Sequence, residues 1–242
     1  MRLKLDDPTL FTKAIEFISD LVLEVRIKIS EFGLSIVAVD PGNISMVALK
    51  IPRSAFQEFD SGDEVLGVNV ESLKKILKRC GKTSALILEK NENAISIKIE
   101  DKIKRVFSLN LIEVEREDKE FPEHLEFSSE VVISSQDLID SIEDCLVVSD
   151  ACSFVINERK FIVEAKETNS ARSEFSSDEV SISAENCSAR YSLDYLQKFT
   201  KAGKSFDKTI LKFSNDHPLR IDFLSEHLSL SFLLAPRVEV DD

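Results

Sequence analysis

The chain has 242 residues, 43% hydrophobic and 31% charged. That is apolar material for one large core or two smaller ones, which excludes wholesale disorder. Lys and Arg total 31 against 44 Asp and Glu, a net charge of −13, so a nucleic-acid partner requires basic residues gathered on one face, where phosphates can be neutralised.

Leu10, Ala14, Phe17, Ile18 and Leu21 recur at helical spacing and predict a helix over 8–22, started by Asp6 or Asp7 before Pro8. Val25, Ile27 and Ile29, then Leu34, Ile36 and Ala38, alternate on either side of Ser30-Glu31-Phe32-Gly33 and predict a β-hairpin. Pro41-Gly42-Asn43 turns into a third strand over 44–51, and 65–68 reads as a short strand. Asn69 opens a helix over 70–80 that Gly81 closes. Strands follow over 85–88, 95–99 and 106–112. Residues 113–126 then carry Glu113, Glu115, Glu117, Asp118, Glu120, Glu123 and Glu126 against Arg116 and Lys119, which reads as an extended, solvated linker. The domains are therefore drawn as 1–113 and 127–242, with the linker over 114–126.

The second half repeats the first. Leu138, Ile139, Ile142, Cys145 and Leu146 form another amphipathic helix, and Phe154, Ile156, Phe161, Val163 and Ala165 repeat Ile27, Ile29, Leu34, Ile36 and Ala38 at one constant offset. Ser192-Leu193 and Leu196 repeat Ser72-Leu73 and Ile76; Leu219, Ile221 and Phe223 repeat Ile95, Ile97 and Ile99; Val238-Glu239 repeats Val114-Glu115. The unit is helix, hairpin, strands, helix, then three strands, with antiparallel connections because no strand–helix–strand alternation appears. The fold class is α+β, in two tandem copies.

Nothing argues for catalysis. Cys80, Cys145, Cys152 and Cys187 form no zinc pattern and read as buried reduced thiols; His124, His217 and His227 are scattered; no nucleophile elbow, phosphate loop or dinucleotide fingerprint occurs. No cofactor and no metal are expected. No run of about 18 apolar residues is present to span a membrane, and Met1–Pro8 turns acidic too early for a signal peptide. An intracellular protein is expected, in the cytoplasm or nucleoid of an archaeon or the nucleus of a eukaryote.

Several segments resemble one family. Gly33-Leu34-Ser35-Ile36-Val37-Ala38-Val39-Asp40-Pro41, continuing to Val47-Ala48-Leu49, resembles the first-domain signature of proliferating cell nuclear antigen, the DNA polymerase sliding clamp. The run from Val68 to Lys78 resembles its next helix; Pro218-Leu219-Arg220-Ile221 and Leu233-Leu234-Ala235-Pro236-Arg237-Val238-Glu239 complete the pattern in order along the whole chain. The short acidic tail and compact loops resemble archaeal members more than eukaryotic ones. The resemblance implies a closed trimeric ring, sheets outside and two helices per domain inside, that encircles duplex DNA and slides. It implies a non-enzymatic processivity factor that tethers polymerase in replication and other enzymes in repair. The alternative is a specialised checkpoint or repair-type clamp subunit of a hetero-oligomeric ring.

The same resemblance assigns sites. On the helix over 70–80, Leu73, Ile76, Leu77 and Cys80 share one face while Lys74, Lys75, Lys78 and Arg79 lie opposite and would face sequence-nonspecific DNA. Lys198, Lys201 and Lys204 on the helix over 193–202, and Lys13 on the first helix, would join them. The helix over 137–146 departs from this, with Asp137, Asp140, Glu143 and Asp144 on its polar face. Partner enzymes of the family insert a Gln-x-x-aliphatic-x-x-aromatic-aromatic motif into an apolar pocket. Its matching positions here are Val39, Ile44, Phe121, Pro122, Pro218, Leu233, Ala235 and Pro236. The implied partners are DNA polymerase, clamp loader, flap endonuclease, ligase and two further clamp subunits, joined by strand pairing of 105–112 with 170–180 of the next chain. No membrane partner is implied.

Overall fold

The computed structural model describes residues 1–115 and 119–237. Arg116, Glu117 and Asp118 of the expected linker, and Val238 and Glu239 of the repeat, lie outside the described residues. The chain divides into two compact units. Unit 1 comprises Met1–Pro41, Val47–Phe121 and Ser225–Leu230; unit 2 comprises Gly42–Met46, Pro122–Leu224 and the residues from Ser231 onward.

The first half runs β1 (Arg2–Leu5), α1 (Thr9–Ser19), β2 (Glu24–Ser30), β3 (Gly33–Val39), β4 (Ser45–Pro52), β5 (Glu58–Asp60), β6 (Glu64–Asn69), α2 (Val70–Leu77), β7 (Ala85–Asn91), β8 (Ala94–Glu100) and β9 (Lys104–Asn110). The second runs β10 (Ser129–Ser134), α3 (Ser135–Leu146), β11 (Ala151–Asn157), β12 (Lys160–Lys166), β13 (Ser170–Phe175), β14 (Ser181–Ala184), β15 (Cys187–Ser192), α4 (Leu193–Gly203), β16 (Lys208–Phe213), β17 (Leu219–Leu224) and β18 (Ser229–Leu234). Strand for strand and helix for helix, the orders are the same. So are the lateral orders: β5-β1-β7-β8-β9 answers to β14-β10-β16-β17-β18, and β4-β3-β2-β6 to β13-β12-β11-β15. The fold is α+β and antiparallel, in two copies.

The hairpin register is conserved between the copies at the residues that carry the repeat. Ile27 faces Ile36 and Ile29 faces Leu34 in the first; Phe154 faces Val163 and Ile156 faces Phe161 in the second. All eight are buried, because alternation on a half-buried sheet sends every second side chain inward, and a one-residue slip would expose the whole set. In unit 1, α1 packs against α2; in unit 2, α3 packs against α4. Phe11, Ala14, Ile15 and Ile18 of α1 and Val70, Leu73 and Leu77 of α2 are buried. Unit 2 uses larger groups: the Phe154 ring lies 5.6 Å from those of Phe161 and Tyr191, and Phe199 stacks on Phe232 at 4.5 Å.

Local chemistry sets the helix starts. The Asp7 carboxylate accepts from the Thr9 N–H at 2.9 Å and the Asn69 side chain from the Ser72 N–H at 2.9 Å, each satisfying an amide the helix leaves orphaned. The expected stop at Gly81 is corrected. α2 ends at Leu77 with Lys78 as its cap, and Gly81, which lacks a positive φ, donates its N–H to Ser84 Oγ at 2.8 Å. The last sheet strand of the first half also ends earlier than expected. Leu111 N–H donates to Asn93 O at 2.8 Å, and Ile112 N–H to Gly67 O at 2.9 Å, so the chain leaves β9 and runs along the free edge of β6.

Two glycines are required by close backbone approach. Gly33 has φ +134°, and a Cβ there would sit 2.1 Å from Ile51 O; a Cβ on Gly67 would sit 2.1 Å from Ile112 O and 3.1 Å from Val114 Cγ2. Gly67→Ala therefore pushes residues 111–114 off β6. The expected loss is about 1–3 kcal/mol of folding stability, read by urea denaturation, whereas Gly62→Ala, with open space at its Cβ, should change little.

Candidate functional site

α2 presents its charges as the spacing requires, but they are not equivalent. Lys74 Nζ lies 2.6 Å from Glu71, and its side chain is only 17% exposed. Lys75 is 74% exposed, with Glu71 at a distant 4.0 Å. Lys78 reaches across to α1, 2.7 Å from Glu16, and this pair holds the ammonium pKa above its usual value. Arg79 is exposed, and its carbonyl accepts from the Arg105 guanidinium at 2.9 Å, fastening the end of α2 to β9. Ile76, expected in the apolar face, is only half-buried. Lys75 and Arg79 are thus the cations most open to an external phosphate, while Lys74 and Lys78 also organise the helix pair. On the exposed side of α1 and α2 with their caps, Lys13, Lys74, Lys75, Lys78 and Arg79 stand against Glu16, Asp20 and Glu71.

The α3/α4 pair reverses that balance. Asp137, Asp140, Glu143 and Asp144 are all exposed on α3, with Asp194 on α4. Against them stand Lys198, whose ammonium lies over the Tyr195 ring at 5.1 Å, Lys201, and Lys204, at 4.0 Å from Glu143.

The apolar positions fall in both units. Val39 closes β3, half-buried, in unit 1; Ile44, Pro122, Pro218, Leu233, Ala235 and Pro236 belong to unit 2. Ile44 is 42% exposed, and its carbonyl accepts from Ala235 N–H at 2.9 Å, which brings these two together directly. The buried Tyr191 hydroxyl donates to His217 O at 2.8 Å, fixing the turn that carries Pro218. Arg220 binds Asp222 at 2.8 Å and lies 3.6 Å from Glu123, so the segment after Pro122 is tied to β17 rather than free.

The expectation of a solvated linker is corrected at two positions: Phe121 is 6% exposed and Val114 is 8% exposed. The two apolar side chains are part of the core, while Glu115 and Glu120 between them are exposed. Phe121→Ala should cost about 3–5 kcal/mol of stability, as truncation of a buried aromatic does, measured by denaturant unfolding.

Cys145, Cys152 and Cys187 are buried and unbridged; a hydrogen bond with Cys145, then burial, pushes the Cys152 thiol well above its ordinary pKa. Among the described residues no group of three or more His, Cys, Asp and Glu could hold a metal ion. No described helix is long and apolar enough to cross a membrane.

A duplicated antiparallel unit that sets two amphipathic helices against sheets, with charged outer helix faces, defines a clamp-type domain pair. Residues 1–120 match the family model described as proliferating cell nuclear antigen, N-terminal domain. The chain is 35% identical over 237 residues to the DNA polymerase sliding clamp of Thermococcus onnurineus, and 34% identical over 238 residues to that of Pyrococcus furiosus, covering 95% of each chain in both cases. It is similar to the crystal structure of proliferating cellular nuclear antigen from Entamoeba histolytica, with TM-score 0.91, 25% identity and 98% of each chain covered. In fold it is also similar to chains of the PCNA2–PCNA3 complex from Sulfolobus tokodaii, with TM-score 0.89, 24% identity and 99% of this chain and 100% of that one covered. The chain belongs to the proliferating cell nuclear antigen family of DNA polymerase sliding clamps.

Proposed function

We propose that this chain acts as a DNA sliding clamp, a ring subunit that encircles duplex DNA and serves as a processivity factor for a replicative polymerase. The observation that carries the reading is membership of the family along 95% of the chain, together with a helix pair whose outer face is cationic although the protein is anionic. Phosphate contacts made by exposed lysine and arginine carry no base information, and they exchange with counterions along the duplex, which is what sliding needs. Tethering raises the local concentration of a bound polymerase without any chemistry on the clamp. In this reading the chain is not an enzyme, and it works inside the cell where DNA is copied.

The cationic contacts come chiefly from α2. Lys75→Glu with Arg79→Glu reverses two exposed charges and leaves the Lys74–Glu71 and Lys78–Glu16 pairs in place. Stimulation of DNA polymerase on long primed templates should fall at least tenfold at moderate salt, while the melting temperature shifts little. Unchanged stimulation would remove α2 from the DNA path.

Ring closure follows from the sheet edges. Among the described pairings, β9 pairs only with β8 and β13 only with β12, and an unpaired edge invites another strand. Val106 on β9 is 65% exposed. We place β9 of one chain beside β13 of the next, with the pairing limited to 104–110 and 170–175, since 176–180 forms a turn closed by Val180 N–H on Ser176 O at 3.1 Å. Val106→Glu should shift the mass in light scattering from three chains toward one. The second reading, a subunit of a hetero-oligomeric ring with repair or checkpoint partners, draws support from the acidic α3 face, which suits a ring whose other chains supply more of the positive lining. A wild-type chain that is monomeric alone would favour it.

The partner site is proposed within unit 2, around Ile44, Pro218, Ala235 and Pro236, with Pro122 and Leu233 supporting it. An aromatic-ended peptide of a polymerase, clamp loader, flap endonuclease or ligase would seat on these apolar groups.

A further inference from the structure

The chain leaves β18 at Leu234, and Ala235, Pro236 and Arg237 after it lie outside any strand. The next three residues are nevertheless fixed at both ends. Ala235 N–H donates to Ile44 O at 2.9 Å, and Arg237 N–H donates to Arg190 O at 2.7 Å. Pro236 between them has no N–H to give. The Arg237 guanidinium then grips Asp150 with both prongs, Nη1 to Oδ1 at 2.7 Å and Nη2 to Oδ2 at 3.0 Å. Asp150 immediately precedes β11, and Arg190 lies in β15, the strand that pairs with β11. Asp150 at the entry to β11 and Arg190 in β15 thus sit towards the ends of neighbouring strands of one sheet, a stiff base.

We propose that the Arg237–Asp150 pair is a latch that holds Ala235-Pro236 as a preformed apolar wall, so that a partner peptide docks without first ordering the end of the chain. The inference rests on the partner-site reading above. A bidentate fork fixes direction as well as distance, and a segment that is not already ordered loses backbone freedom when it is fixed on binding. A wall set in place beforehand removes that cost from binding. The pair is exposed, at 44% for Arg237 and 65% for Asp150, so its worth to global folding is small, and its effect belongs to the local position of the segment. The surrounding charges act in the same direction. Asp194 and Glu167 favour the Arg237 cation, and Arg190 favours the Asp150 anion. An exchanged pair would meet like charges, so a charge swap is not a valid rescue here; conservative replacement is.

The test uses the full chain and a synthetic peptide of the form Gln-x-x-aliphatic-x-x-aromatic-aromatic. Calorimetry is paired with amide hydrogen exchange at Ala235 and Arg237. Asp150→Asn and Arg237→Gln should each weaken the peptide about two- to fivefold, the range an exposed ion pair supports, and speed exchange at both amides. Arg237→Lys should recover part of the affinity. The double variant should lose no more than either single one, because both remove the same interaction. Equal affinities in wild type and single variants overturn the latch, as does unchanged exchange at Ala235 and Arg237. A wild-type chain that fails to bind the peptide overturns the partner-site reading instead, and exchange then decides whether the tether itself exists.

Discussion

Each half of this molecule depends on burying the apolar stripes of two short helices. α1 and α2 are 11 and 8 residues long, α3 and α4 are 12 and 11; helices this short are marginal in water by themselves. They persist because Ile15 and Ile18, Leu73 and Leu77, Ile139 and Ile142, and Leu196 and Phe199 are all buried. The same constraint fixes what is left outside. Once the apolar stripe faces inward, 100° steps force Lys75, Lys78 and Arg79 outward on α2 and Asp137, Asp140, Glu143 and Asp144 outward on α3. Packing and electrostatics are two faces of one periodic pattern, and function reads the outer one.

The difference between the two outer faces is where this chain is individual. The core of the second copy buries Phe154, Phe161, Tyr191, Phe213 and Phe199 fully. Asp137 gains from the positive end of the α3 dipole, but Glu143 and Asp144 lie near the other end, where that dipole opposes them. Their presence in an exposed cluster costs little stability and strongly alters the field a duplex would meet. Under the proposed assignment of phosphate contacts to the lysine- and arginine-bearing helices, the acidic α3 face would stand off from the duplex.

Much of the fold was legible because it depends on local alternation. Ile27, Ile29, Leu34 and Ile36 announced a hairpin, their counterparts announced a second, and the two-copy architecture followed. β1 and β10 were overlooked although Leu3 and Leu5, and Val131 and Ile133, alternate. Each is short, and its partners β7 and β16 lie some 80 residues downstream, so their pairing leaves no local signature. Spacing named the basic face of α2, but not which of its lysines is occupied: Lys74, 2.6 Å from Glu71, is 17% exposed, and Lys75, at 4.0 Å, is 74% exposed. The linker's acidic composition does not reveal that Val114 and Phe121 turn inward. Asp150 went unseen as a site residue because its partner, Arg237, is 87 positions away.

A sliding clamp holds DNA by surrounding it rather than by gripping it. The direct measurement is retention of the loaded protein on a closed circular duplex after a high-salt wash, before and after the circle is cut once. Salt screens phosphate contacts and leaves a closed ring in place, so retention on the circle and release on cutting are the predicted result. Equal loss from circular and linear DNA under salt would contradict it.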